Sequence, residues 1–249
     1  EILRAAWRFL KTSARIDLVQ LRHVRADAVI APLLSELNGE IIAREKAPYL
    51  DLSSAESFAD YEKRYSKQSR HNRRRMARRL AEAGEVTFDQ YLGGWEARNL
   101  TLQAMHMKAG TGNRSTDCDL SVLKVNGEPT AFEIAFTCKR RIAMHIIVYA
   151  PKYEKLGTGT ILLERALRSD FDNDVAVRDM LAPAHAYKMN WADGSVDICD
   201  WVIPASIAGK LYARIYLGFV RTRGKKLISS LPDPLRRAIA SWYSAVARQ

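Results

Sequence analysis

The chain is expected to be an α/β protein, and three observations carry that expectation. Apolar residues switch repeatedly between a period of two and a period near 3.6 along the sequence. Asn126-Gly127 separates two β-rich runs, which is the strongest short-range signal for a hairpin. A β-type run ending at Tyr149 leads into a short loop with Gly157 and Gly159, and then into the helix-forming Ile161-Leu162-Leu163-Glu164-Arg165-Ala166-Leu167.

Residues 1–12 read as a helix with Ile2, Leu3, Ala6, Phe9 and Leu10 on one face. The segment Arg15–Leu21 alternates as a strand does, Ala26–Leu37 reads as a helix stopped by Asn38-Gly39, and Glu40–Leu52 is extended, with Pro48 disfavouring helix. Ser54-Ala55-Glu56-Ser57 resembles a helix start. A long helical stretch follows to Ala83-Gly84, with Phe58, Tyr61, Tyr65, Met76 and Leu80 on one stripe and a break expected at Ser69 and Asn72. Val86–Phe88 reads as a short strand, 94–108 as a helix, and Ala109–Thr116 as a polar loop or lid. Three antiparallel strands are expected over Cys118–Val125, Pro129–Cys138 and Ile142–Tyr149. After the glycine loop and its helix come a strand at Val175–Leu181, a short helix at Ala184–Trp191 and a strand at Val196–Ile203. Pro232 and Pro234 open a final amphipathic helix with Leu235, Ile239, Trp242, Tyr243 and Val246.

A content of 47% apolar and 27% charged residues is that of a globular protein, and no run of about 18 apolar residues predicts a membrane span. The chain starts at Glu1 without a Met or a charged-then-apolar leader, as a processed, trimmed or partial form would. Cys118, Cys138 and Cys199 are far apart, and the five histidines form no spaced pair. No metal is therefore expected, and a reducing cytoplasm is the expected compartment. The net charge of +11 is segregated. Residues 63–79 hold nine Lys/Arg and no acid, and residues 205–249 carry +8, leaving the remainder at −6. Such segregation suits an anionic ligand, polymer or membrane surface.

The loop is the most informative segment. A strand, a turn with two glycines and a helix start aim backbone N–H groups and a helix dipole at one point, as a phosphate or diphosphate requires. A tight connection with no ligand is the competing reading.

At this level the sequence resembles a family. The order strand–strand–strand, glycine loop, helix, strand, short helix, strand is that of the GCN5-related N-acetyltransferases. Lys155-Leu156-Gly157-Thr158-Gly159-Thr160 resembles their acyl-CoA pyrophosphate loop, whose basic or Gln lead-in aligns here with Glu154 or Lys155. Asp179-Met180-Leu181-Ala182-Pro183-Ala184-His185-Ala186-Tyr187-Lys188, with Trp191 after it, resembles a signature of the branch linked to cellulose and exopolysaccharide biosynthesis (CelD-like), related to the FemAB peptidyltransferases. That branch has Gly-Asp-Glu where Pro183-Ala184-His185 stands. The Arg-rich helix Arg70–Leu80 also resembles it, and the likeness spans roughly residues 50–203.

The resemblance implies an acyl-CoA N-acyltransferase fold, a mixed, largely antiparallel sheet flanked by helices. Branch members carry two such folds in tandem. Residues 1–52 would then be part of a first copy, 53–204 the acetyltransferase-like domain and 205–249 a basic helical segment. It further implies an acyl group moved from acetyl-CoA or another acyl-CoA to an amine or hydroxyl of a sugar or cell-envelope precursor. The loop role falls to Lys155, Leu156, Gly157, Thr158, Gly159 and Thr160, and the strand edge holding the pantetheine arm to Ile147, Val148 and Tyr149.

Tyr187 is a candidate general acid toward the leaving thiolate, since a phenol with pKa of about 10 suits that role; a half-buried helix tyrosine is the alternative. Lys188 is placed to bind a phosphate or carboxylate, or else lies in solvent. Asp179 is a candidate base or orienting group, or a helix cap, and Glu133 a further base candidate. No Ser/His/Asp or Cys/His set points to a covalent intermediate. The aromatic stripe on the Arg-rich helix reads as core, so nucleic acid is not the expected partner. The exception is tRNA, should the donor be the aminoacyl-tRNA of FemAB relatives. A module binding nucleic acid or membrane on a decayed transferase fold is the non-enzymatic alternative, and the basic C-terminal segment would suit an anionic membrane surface.

Overall fold

Asn126 and Gly127 both adopt positive φ (51° and 77°), so the two-residue turn has the twist that antiparallel strands require. Around it the computed structural model describes residues 1–13, 16–92, 94–107 and 119–215. The elements in chain order are α1 (Ile2–Ser13), β1 (Leu18–Arg25), α2 (Ala31–Glu36), β2 (Glu40–Asp51), α3 (Phe58–Tyr61), α4 (Lys67–Glu82), β3 (Val86–Leu92), α5 (Gly94–Met107), β4 (Asp119–Val125), β5 (Glu128–Cys138), β6 (Arg141–Tyr149), α6 (Thr158–Asp172), β7 (Val177–Asp179), α7 (Ala186–Met189), β8 (Gly194–Pro204) and α8 (Ile207–Tyr212). They divide into two compact units, Glu1–Glu45 with Asp197–Gln249, and Lys46–Val196.

In the first unit β1 pairs antiparallel with β8, from Leu18 opposite Pro204 to Arg25 opposite Ile198. The ladder slips between Leu21 and Val24, where His23 takes a φ of 55° and its N–H donates to the Asp200 carboxylate at 2.9 Å. In the second unit the strands lie in the order β2-β7-β6-β5-β4-β3. Only β6 and β7 run parallel; the other pairs are antiparallel. This is the mixed, largely antiparallel sheet flanked by helices of the acyl-CoA N-acyltransferase fold.

Strand periodicity sorts the core of this unit onto two faces. Leu120, Val122, Phe132, Ile134, Ile146 and Val148 pack with Ala104 of α5. Leu123, Val125 and Ala131 pack with Leu80 of α4 and Ile161 and Leu162 of α6. Glu133, two residues from Ala131, therefore points to the α6 side, and so does Ile147, which stands directly opposite it on β6.

The aromatic stripe is core, as expected: Phe58, Tyr61 and Tyr65 are buried with Leu163, Leu167 and Trp191. The break falls elsewhere than Ser69 and Asn72. Tyr65 is extended (ψ 146°), and Ser66 caps α4 by accepting the Ser69 N–H at 3.1 Å, so the serine that competes best for backbone donors starts the second helix. The strand expected at Val175–Leu181 shrinks to three residues, because the N–H groups of Ala176 and Val177 turn to the Arg140 carbonyl. The first helix of the 26–37 segment begins only at Ala31. The Ala109–Thr116 loop and the Pro232–Val246 helix lie outside the described residues.

Candidate active site

Strands β6 and β7 pair over three residues only, Arg141–Ala143 with Val177–Asp179. Beyond Ala143 the two diverge, and the chain after β7 stays beside β2, with the Met180 N–H donating to the Pro48 carbonyl at 2.9 Å. The edge of β6 from Met144 to Tyr149 that faces away from β5 is thereby left without a strand partner among the described residues. A cavity of about 410 Å³ occupies this region, lined by Ile147, Tyr149, the loop residues Glu154 and Gly157–Thr160, Leu163, Tyr187 and Trp191.

The loop between β6 and α6 is a 3-10 turn over Pro151–Leu156, closed by Gly157 in the left-handed region (φ 72°). A side chain at Gly157 would meet that strain and also the Met76 sulfur of α4, 2.8 Å from an added Cβ. At Gly159 an added Cβ would sit 3.2 Å from the Tyr149 ring. Both glycines thus let α4 and β6 close onto the start of α6. The Gly157 N–H donates to the Glu154 carbonyl, and those of Thr160 and Ile161 to the Gly157 carbonyl, which leaves the N–H groups of Thr158 and Gly159 in the first turn without a backbone partner among the described residues. The Thr158 hydroxyl is fully buried and has no hydrogen-bond partner among the described residues. Orphaned buried hydroxyls are uncommon, since leaving one unmatched costs about 1–3 kcal/mol.

Of the residues expected to act, Ile147, Tyr149, Gly157, Thr158, Gly159, Thr160 and Tyr187 converge on this cavity. Tyr187 is 46% exposed and Tyr149 42%. The Tyr187 phenol is pushed above its ordinary value by partial burial, and then by the nearby Glu133 and Tyr149. Val148 belongs to the same strand edge, but its side chain packs on the α5 face.

Lys155 and Leu156 contribute no side chain to the lining; Leu156 packs into the core. Lys188 is neither in solvent nor at the cavity. It is buried, and its Nζ donates to the carbonyls of Met180 (2.7 Å) and Leu181 (3.0 Å), holding the bend that follows β7. Asp179 is likewise buried. It pairs with Arg141 at 3.3 Å and accepts the Leu181 N–H at 2.9 Å, which caps the bend rather than a helix. Glu133 lies behind Ile147, bonded to Arg178 Nη1, while Asp170 takes Nε and Nη2 of the same guanidinium at 2.5 and 2.8 Å. Burial pushes the Glu133 carboxyl up against the opposing pull of Arg178.

Two site features escaped the sequence reading. Trp191 was noted only as part of a signature, yet it forms a wall of the cavity and carries the buried Arg73 guanidinium 4.8 Å above its ring. Glu154 rather than Lys155 faces the cavity. A 3-10 period applied to the loop would have found it, because residues three apart share a face. Among the described residues no group of three or more His, Cys, Asp or Glu could hold a metal ion, and no helix is long and apolar enough to cross a membrane.

Residues 67–189 match the family model described as an acetyltransferase (GNAT) domain. No curated protein matches the chain in sequence. Among solved structures, L-PGS from Bacillus licheniformis aligns at a TM-score of 0.57 and 12% identity over 82% of this chain and 73% of that one. The C-terminal domain (DUF2156) of a candidate lysylphosphatidylglycerol synthetase from Agrobacterium fabrum reaches 0.60 at 13% identity, covering 86% and 77%. FemX reaches 0.60 at 9% identity, covering 86% and 78%. At such identities these likenesses concern the fold, and the family match makes residues 67–189, just under half of the chain, similar to a GNAT acetyltransferase domain.

Proposed function

We propose that the domain transfers an acyl group from acyl-CoA to an amine or hydroxyl acceptor. The observation that carries this reading is the unmatched Thr158 hydroxyl at the start of α6, beside the open N–H groups of Thr158 and Gly159 and the unpaired edge of β6. The first set fits a diphosphate and the second an amide-bearing pantetheine arm. The thioester would then lie between β6 and Tyr187. The acceptor attacks the carbonyl carbon, the C–S bond breaks, the Tyr187 hydroxyl gives its proton to the departing sulfur, and the acceptor's proton leaves through water. A phenol held above its usual pKa stays protonated and ready for that step. The resemblance to the CelD-like branch supports a sugar or envelope precursor as acceptor.

Calorimetric titration with acetyl-CoA tests the reading. Binding is expected for the native chain and a loss of at least about 100-fold for Gly159→Leu, whose side chain must displace the Tyr149 ring. Absence of binding by the native chain refutes it.

One feature supports a second reading, an aminoacyl-tRNA donor as implied by the FemAB likeness. A groove between α4 and α6 is lined by His71, Arg74 and Arg78 on one side and Glu164, Arg165 and Arg168 on the other. Arg78 and Arg165 have no carboxylate partner among the described residues, so they are available to phosphates. This reading requires salt-dependent tRNA binding that Arg78→Ala with Arg165→Ala weakens.

A further inference from the structure

The charge of the cradle differs from what its ligand would favour. The cavity lining contains one ionisable acid, Glu154, and no Lys or Arg. The cause is local geometry. In the 3-10 turn, Tyr153 and Leu156 share the column that packs into the core, Glu154 shares the next with Gly157, and Lys152 and Lys155 share the third. The two lysines therefore face away from the cavity. Lys152 is further engaged by Glu128 at 3.7 Å and by the Tyr153 ring, 5.0 Å from its Nζ. Glu154 itself is exposed and makes no ion pair among the described residues. Its carboxylate stands one turn before the open N–H groups of Thr158 and Gly159, and it opposes any multiply charged anion they hold. The buried Thr158 hydroxyl at the same helix start has no partner among the described residues, and Thr158 lines the cavity beside Glu154.

We infer that Glu154 is a specificity-determining residue that weakens the hold of the cradle on a diphosphate and shifts donor recognition onto the uncharged arm along β6. The inference rests on the acyl-CoA reading for the identity of the arm, but its electrostatic part concerns the cradle alone. Like charges in one solvent-open cavity repel through partly solvated space, so the effect is moderate and is screened by salt. A weakly held diphosphate also lets the free thiol product depart quickly after transfer.

The test is a set of calorimetric titrations of the full chain and Glu154→Gln with CoA, pantetheine and inorganic pyrophosphate, at about 20 mM and about 300 mM salt. Glu154→Gln is expected to tighten CoA and pyrophosphate by about five- to tenfold at low salt and by less than about twofold at high salt, and to leave pantetheine unchanged. Glu154→Lys, tested as a second variant, should extend the gain further. Equal tightening of pantetheine, or unchanged pyrophosphate affinity in both variants, overturns the inference. If pyrophosphate responds as stated while CoA and pantetheine bind to no variant, the acyl-CoA reading fails and the role of Glu154 at an anion cradle stands. Failure of all three probes to bind any variant overturns both.

Discussion

Two regions meet at Trp191 and treat buried polar groups in opposite ways. On the side of α3, the Asp193 carboxylate accepts the Asp51 N–H at 2.7 Å and the Tyr61 hydroxyl at 2.6 Å, and it pairs with Arg64. The Tyr65 hydroxyl donates to the Trp191 carbonyl at 2.9 Å, and Arg64 stacks on the rings of Tyr61 and Tyr65. Each of these groups has found a partner within the protein. On the side of α6, a threonine hydroxyl and two N–H groups have none among the described residues. The first region is a joint and the second a place prepared for something else. Arg73 Nη2, over the Tyr65 and Trp191 rings, also has no hydrogen-bond partner among the described residues, so an unmatched atom marks a binding place only where it accompanies free backbone donors and a cavity, as at the start of α6.

The largest expected effect breaks the joint. Asp193→Ala removes one member of a mostly buried ion pair and leaves Arg64 with only the Tyr61 hydroxyl and the Trp191 carbonyl as partners, so unfolding in urea should show a loss of about 3 kcal/mol. A loss below about 1 kcal/mol would show that the joint is not saturated in solution and would remove the contrast. Next is Tyr187→Phe on the cavity side. It should lower the transfer rate by about 100-fold, the lower end of what a positioned acid supplies, while leaving the urea midpoint unchanged. A rate within about threefold of the native chain would mean that the thiolate leaves unassisted.

A smaller effect should have opposite signs for stability and binding. Thr158→Val replaces an unmatched buried hydroxyl by a methyl group of the same shape, so the fold should be unaffected or gain up to about 1 kcal/mol. Pyrophosphate affinity should fall by about five- to tenfold because the hydroxyl donor is gone. Loss of stability in this variant would show that the hydroxyl has a partner within the protein and that the deficit is only apparent.

The fold was legible largely because its signals are local. The Asn126-Gly127 turn, the alternation in β4 to β6 and the glycine loop each act within about ten residues, and all three reappear in the structure. The convergence of Tyr149, Gly159 and Tyr187 followed from the order of elements and the family likeness. What stayed illegible depended on contacts far apart in sequence. Arg73 reads as one charge in a solvated run, yet it is buried between the rings of Tyr65 and Trp191 and bonded to Glu164, 91 residues away. Arg178 sits in a three-residue strand with nothing beside it in sequence to announce two buried carboxylates, Asp170 and Glu133. Lys188 reads as a helix lysine on the surface; its burial comes from a bend that places two carbonyls over its ammonium. In each case a partner supplied by another element reverses the ordinary preference of a charged side chain for water.

The last prediction compares the two regions by titration. Tyr61 in the joint and Tyr187 in the cavity both have phenols pushed above 10, chiefly by burial. In the unfolded chain each ionises near 10, so above that pH the unfolded state binds fewer protons than the folded one and stability falls as pH rises. Below pH 10 neither residue contributes a slope. Between 10 and its folded value the buried Tyr61 phenol loses about 1.4 kcal/mol per pH unit, and the half-exposed Tyr187, screened by solvent, contributes less. The upward shift of Tyr61 is the larger of the two by its burial, so its window extends further into alkali. Tyr61→Phe should therefore flatten the alkaline decline over a wider range than Tyr187→Phe, although it also loses the bond to Asp193 and starts from a lower stability. Adding pyrophosphate should not alter the Tyr61 contribution, because that phenol lies in the saturated joint. If the two variants give the same alkaline slope over the same range, burial of the joint and openness of the cavity are not distinct in solution.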